Sequence, residues 1–437
     1  MRSLYAAARV FAAGAALVAT VVDAAPSETR VRLAVAGRAN ANVSLAARNE
    51  VVAAVWSAAA ASGAADVFFA ISRDGARTFS QPTRVNAEAG QVSVNGEQPP
   101  RVALVPASGT SVNFVVVWTG KGPTGTQLLT ATSRDGGRSF GPTTRVPDTD
   151  APGNRGWENI AADSNGRLHV VWLDHRALAK DGAQMAMSHH DMSHAANAVA
   201  DGVAQAQQSK LYYGVLAPST PSAPAVASVP RSVTGGLCYC CKTAIAPFAN
   251  SVALAWRHVY PGNFRDIAFT VSRDGGRTFA PPIRVSEDQW QLEGCPDDGP
   301  AIGVDGAGTI HLVWPTLVSG SGKEATTGIF YARSSDGRRF TPRIKVPTEG
   351  TPHHPQLAVR RDGSIALAWD ELVSGTRRIA FGTGTIGRDG QAGFSRQSLS
   401  GVDAGIYPAL AAVSDAVVVA WTSGQPDAAI INVVRQR

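Results

Sequence analysis

The chain has 437 residues, a net charge of +6, 44% hydrophobic residues and only 17% charged ones. Its charges are dispersed with no basic run, which argues against a nucleic-acid partner. High hydrophobic content with few charges fits a chain built almost wholly of strands.

Met1 to Ala24 reads as a secretory signal. Arg2 and Arg9 give a positive start, Val10 to Val22 is apolar and Ala-rich, and Val22-Asp23-Ala24 fits a small-residue cleavage site. The apolar run is too short to span a bilayer comfortably, and no other run in the chain is long enough. The mature chain is then expected to be exported, to a bacterial periplasm or beyond, as a single domain over residues 29–437.

Thr29 to Val35 reads as a strand with no neighbour of its own. Two repeats then run in phase. The first is Ser-x-Asp-Gly-Gly-x-x-Phe, complete at Ser133–Phe140 and Ser272–Phe279. It has Ala76 for the second Gly at Ser72–Phe79, is one residue short at Ser334–Phe340, and keeps only Asp389, Gly390 and Phe394 at the fifth site. An Asp that bonds nearby backbone N–H groups and a Gly that accepts positive φ make a tight turn between two strands. The closing Phe is expected to plug apolar space between units.

The second repeat is a strand, a polar turn and a strand ending in Trp. It marks Trp56, Trp118, Trp172, Trp256, Trp314, Trp369 and Trp421, at spacings of 62, 54, 84, 58, 55 and 52 residues. Each interval holds four short strands, one propeller blade. The expectation is an all-β chain: a β-propeller of four-stranded antiparallel blades, seven by repeat count, with six as the alternative. After Trp421 one strand remains, so Thr29–Val35 is expected to complete the last blade and close the ring. The long third interval carries an insertion at about 185–230. It includes a Met/His run, Met185 to His194, and a Pro/Ser/Ala-rich stretch, Ala217 to Pro230, that reads as an extended linker.

The Ser-x-Asp-Gly turns resemble those of the Asp-box (BNR-repeat) propellers of the sialidase-like superfamily, and the likeness covers nearly all of the mature chain. It implies the fold. Activity is left open, because sialidases, other glycosidases and non-enzymatic binding proteins share the turn. A sialidase needs an Arg cluster, a Tyr nucleophile activated by Glu and an Asp acid. The family's opening Phe/Tyr-Arg-Ile-Pro motif is absent. Arg101, Arg176, Arg257 and Arg265 are candidates for the cluster, and Tyr407 with Glu158 or Glu371 for the pair.

In a propeller the loops that enter the innermost strands gather around one mouth of a central funnel. Taking Val102, Ile160, Ile245, Ile302, Leu357 and Leu410 as equivalent, the position four residues earlier holds Gln98, Gly156, Cys241, Asp298, His353 and Ile406. One residue on come Pro99, Trp157, Lys242, Gly299, His354 and Tyr407, and Glu158 lies one further in. Asp298, Lys242, Tyr407, Glu158 and Arg265 are therefore the expected ligand-binding residues. Polar residues just after the Trp positions, namely Asp174, His175, Arg176, Arg257, His258, Asp370 and Glu371, are expected to face the same funnel.

All four cysteines, Cys238, Cys240, Cys241 and Cys295, fall near that mouth. One reading is a Cys238–Cys295 staple between adjacent blades in an oxidising compartment, with Cys240 and Cys241 as a vicinal disulfide or two thiols. The other is a metal site of Cys238, Cys240, Cys241, Cys295, His353 and His354, whose soft donors suit copper or zinc. The Met/His run suits copper in the same way. The expected function is an exported propeller whose Cys/His/Asp mouth binds a metal or a small ligand. The alternatives are an exo-sialidase or related glycoside hydrolase on an acidic sugar, and a non-catalytic interaction scaffold.

Overall fold

The computed structural model describes residues 30–437 apart from 97, 108–110, 181–197, 217–227, 293–295, 297, 321–322 and 400–403. The signal-like segment, the Met/His run, Cys295 and most of the Pro/Ser-rich stretch lie outside the described residues.

Seven four-stranded antiparallel sheets account for the fold. The innermost strands are Ala39–Arg48, Arg101–Pro106, Arg155–Ala162, Ala244–Phe248, Ala301–Val304, Thr351–Val359 and Ile406–Ala412, in blades one to seven. In six blades the strands follow in chain order from the centre outward. In the seventh the outermost strand is Val31–Leu33, paired with Ile430–Gln436 through Val31–Val433 and Leu33–Ile431. The N-terminal strand thus closes the ring on the last blade, and the count of seven holds.

The register assumed from sequence is the register observed. Val102 faces Val116, Ile160 faces Val170, Ile245 faces Leu254, Ile302 faces Leu312, Leu357 faces Leu367 and Leu410 faces Val419. Two residues after each of those partners comes the blade's Trp. All seven Trp side chains are buried to within 1% exposure, so they fix how neighbouring sheets stack.

The Ser-x-Asp-Gly turns join the third and fourth strands and repeat one bonding pattern. In the first copy Ser72 Oγ donates to Asp74 Oδ1 (2.7 Å), Thr78 N–H donates to the same oxygen (2.9 Å) and Thr78 Oγ1 donates to Oδ2 (2.6 Å). Asp135 and Asp274 repeat it with Ser139 and Thr278. The closing Phe then crosses to the preceding blade. Phe140 meets Phe69, Phe279 meets Tyr213, Phe340 meets Phe269 and Phe394 meets Tyr331, edge-on or tilted, with ring centroids 4.8–5.2 Å apart. These aspartates are bound up in turns, as a structural role requires.

In blade three, the helices Arg176–Lys180 and Ala198–Gln208 lie between the second strand, Leu168–Asp174, and the third, Lys210–Leu216. The fourth strand, Arg231–Gly235, completes this blade.

Candidate functional site

Four inner strands break register at the same level. The shifts fall between Ala41 and Ser44, Gly156 and Asn159, His353 and Gln356, and Ile406 and Ala409. In each, the first residue of the bulge has left-handed backbone: Asn42 at φ 59°, Trp157 at 51°, His354 at 53° and Tyr407 at 52°. Side chains of this size rarely take positive φ, and such bulges re-aim a side chain out of the regular alternation. Asn42, His354 and Tyr407 accordingly line one cavity at the funnel mouth, of about 30 Å³, together with Arg101, Lys242 and Gln356. Trp157 instead packs in the core against the cysteines.

The cavity depends on two close backbone approaches. A Cβ on Gly96 would sit 2.3 Å from the Tyr407 hydroxyl oxygen, and one on Gly299 would sit 2.2 Å from the Lys242 carbonyl oxygen. Both positions need glycine for space.

Within the cavity the His354 ring lies 4.4 Å from the Tyr407 ring, centroid to centroid. His354 Nδ1 is 2.5 Å from Asp370 Oδ1, and Asp370 Oδ2 accepts from Arg377 at 2.6 Å. The carboxylate thereby fixes both ring orientation and tautomer, and chemistry toward the cavity falls to Nε2. The His354 backbone N–H donates to Asp298 Oδ2 at 2.8 Å, and His353 Nδ1 stands 3.4 Å from the same oxygen. Burial pushes the Asp298 carboxyl up, but the His353 hydrogen bond and the charges of His354 and Lys242 outweigh it and hold the group below the usual carboxylate range. Lys242 Nζ donates to the Pro355 carbonyl at 3.0 Å, tying blade four to blade six.

The structure brings Asp298, Lys242, His353, His354 and Tyr407 together at the funnel mouth. Sequence reasoning missed Asp370 as the histidine's partner and Asn42 as a lining residue. Strand alternation carried the signal for Asp370. A residue two after a Trp shares its face, and it serves the indole: Trp172 donates to Asp174, Trp256 to His258 and Trp369 to Glu371. A residue one after the Trp faces the other way, so Asp370 reaches His354 and Arg257 reaches the Asp298 carbonyl at 3.0 Å.

Several expected funnel residues are instead structural. Asp174 is buried in ion pairs with Arg155 and Arg176, and Arg176 also binds Asp148. Glu371 is paired with Arg396. Arg257 spends its guanidinium on the carbonyls of Asp298, Arg265 and Pro315. Of the four arginines expected as a cluster, Arg101 alone lines the cavity. Glu158 is fully buried, accepts from Thr119 Oγ1 at 2.8 Å and has its carboxyl pushed up by burial. Tyr407 packs against His354 with the rings tilted at 44°, while Glu158 and Glu371 are held by other partners, so the expected Tyr–Glu pair is not what the described contacts make.

The cysteines form a second cluster beside the first. The sulfurs of Cys238, Cys240 and Cys241 all lie within 4.8 Å of one another and are buried. Cys241 Sγ is 3.2 Å from Cys238 Sγ, and Arg265 Nη1 donates to Cys238 Sγ at 3.3 Å. Arg265 therefore belongs to the sulfur cluster and not to the cavity. Cys238 and Cys241 are free thiols, so the Cys238–Cys295 staple is not formed, whereas Cys240 is not free. The clusters touch where the Asp298 backbone N–H reaches Cys241 and where Lys242 follows Cys241 in the chain. His353 and His354 stay with Asp298 and Asp370.

No family model matches this sequence, and no curated protein sequence does either. Its solved structural neighbours include polysaccharide lyases and sialidases. An ulvan lyase of a polysaccharide lyase family superposes with a TM-score of 0.54 at 11% identity, covering 91% of this chain and 94% of that one. The same lyase is also known bound to -[GlcA(1-4)Rha3S]-. A second polysaccharide lyase, Uly1, gives 0.50 at 11% identity over 92% and 91%. A sialidase from Streptococcus pneumoniae gives 0.45 at 10% identity over 80% and 68%. At these identities the likeness is one of fold.

Proposed function

We propose that this chain is an exported propeller that binds an acidic glycan at the funnel mouth and moves a proton on it. The observation that carries the reading is the His354 imidazole, clamped by Asp370 and packed at a tilt against Tyr407 in a cavity that also holds Lys242 and Arg101. A positioned imidazole beside a phenol suits general base and general acid work. Lysine and arginine suit a sugar carboxylate. His354 Nε2 would take the proton on the carbon next to the carboxylate, and the two cations would stabilise the resulting enediolate. The bond to the leaving sugar oxygen then breaks as Tyr407 supplies its proton. The pairing of neighbouring folds with glycan-active proteins is in keeping with this, and so is the signal-like Met1–Ala24 segment.

The test is incubation of the purified protein with glucuronate-containing polysaccharides, followed by the ultraviolet absorbance of an unsaturated uronyl product. An absorbance rise abolished by His354→Gln supports the elimination. Saturated reducing ends would replace it with the hydrolytic reading, in which Tyr407 acts as nucleophile. Binding without turnover would leave a lectin-like scaffold.

A copper or zinc ion is the other occupant that the sequence suggests. A structural zinc takes four donors, and among the described residues of the sulfur cluster only Cys238 and Cys241 are free thiols, with both histidines engaged elsewhere. The donor set therefore favours the glycan reading. Metal analysis of the purified protein decides this, since a stoichiometric copper or zinc content would reinstate the metal.

A further inference from the structure

We propose that Cys238 and Cys241 are a redox-active dithiol that closes to a disulfide by thiol–disulfide exchange, with Cys238 as the attacking sulfur. The proposal is independent of the glycan reading. It rests first on geometry. The two thiols are free, separated by two residues, and their sulfurs are 3.2 Å apart. Closing the bond requires the sulfurs to approach by only about 1 Å. Cys-x-x-Cys is the spacing at which one thiol attacks and the other resolves the mixed disulfide.

The environments of the two sulfurs differ in the direction this division of labour needs. Cys238 faces the Arg265 guanidinium at 3.3 Å, and Arg257 is also close enough to act on it electrostatically. Burial pushes the Cys238 thiol up, but the hydrogen bond from Cys241 and the two arginines outweigh it and bring it down to about 6. Burial pushes the Cys241 thiol up, and the Cys238 charge beside it adds to the rise. The Arg265 guanidinium thus faces the Cys238 sulfur, which marks it as the attacking one. Cys240 is not free, so among the described residues Cys238 and Cys241 are the reducible couple.

The co-substrate is a small-molecule disulfide. The Cys238 thiolate attacks one of its sulfurs, forming a mixed disulfide and releasing one thiolate. Cys241 then loses its proton and attacks the Cys238 sulfur, releasing the second thiolate. Two electrons pass to the external disulfide, and the protein loses two hydrogens. Both sulfurs are buried, so exchange begins when the loop before the inner strand of blade four opens locally.

The experiment is equilibration of the folded protein in oxidised and reduced glutathione, followed by acid quench, alkylation under denaturing conditions and peptide mass mapping. The expected result is loss of two hydrogens with a Cys238–Cys241 link, reversed by reduced glutathione. Cys241→Ser should trap one glutathione on Cys238, and Cys238→Ser should trap none on Cys241. Thiols that stay alkylatable in the oxidised buffer would overturn the proposal. So would a glutathione trapped on Cys241, or a stoichiometric metal ion that blocks both thiols. The wild-type map stands even if one variant fails to fold.

Discussion

His354 and Tyr407 occupy the same position on the inner strands of adjacent blades, both in left-handed backbone, with their rings 4.4 Å apart. Residues 53 positions apart in the chain thus meet because two strands carry the same one-residue bulge. Strain at two neighbouring sites is repaid by the contacts it creates, as is common where a site is pre-organised.

That pairing predicts a separation of roles. His354→Gln should lower turnover by about 100-fold or more, the usual scale for a lost general base. Asp370→Asn should lower kcat with little change in KM and shift the pH profile, because Asp370 positions the ring without touching substrate. Steady-state kinetics against pH on both variants is the check, and equal losses in KM for both would argue that they only shape the pocket.

Tyr407 can be probed in two ways. Tyr407→Phe removes only the hydroxyl and should cost activity while the protein stays folded. Gly96→Ala places a methyl 2.3 Å from that hydroxyl oxygen and should displace the ring. Both should reduce turnover and leave far-ultraviolet circular dichroism unchanged. An active Gly96→Ala protein would show that the hydroxyl position is not critical.

Acid should weaken the fold before the carboxylates titrate. Burial lowers the His175 pKa from 6.5 to about 4, and His258 is brought to about 4 in the same way. Both are neutral in the folded state, whereas the unfolded chain takes up protons near 6.5. Stability is therefore complete above that value and falls as pH drops from 6.5 to about 4, by about 3 kcal/mol for His175 alone. Asp298, held below the usual carboxylate range, adds a loss at still lower pH as it is protonated. Urea unfolding across this window should show the slope, and His175→Phe should remove part of it. An unchanged slope would place the titration elsewhere.

Ring closure gives a stability prediction with no catalytic component. Removing residues 31–33 deletes three paired residues of one strand pairing and exposes the edge of Ile430–Gln436. The truncated protein should unfold at lower denaturant and self-associate, since an open edge templates pairing. Size-exclusion chromatography with light scattering reads this directly. A monomer of unchanged stability would mean that the last blade holds on three strands.

The fold was legible in the sequence because its determinants are local and repeated. A turn with one bonding pattern and a Trp at a fixed strand position recur often enough to count blades and to set the register. Cys241, Asp298, Lys242, His353, His354 and Tyr407 followed from that register alone. Tertiary structure decided how these residues are used. Whether a polar side chain after a Trp serves the indole or the funnel depends on strand alternation at that point, which separates Glu371 from Asp370. Which residues line the cavity depends on bulges that only pairing with the second strand reveals. Which cysteine stays a thiol depends on sulfur positions in three dimensions, and spacing along the chain does not encode them.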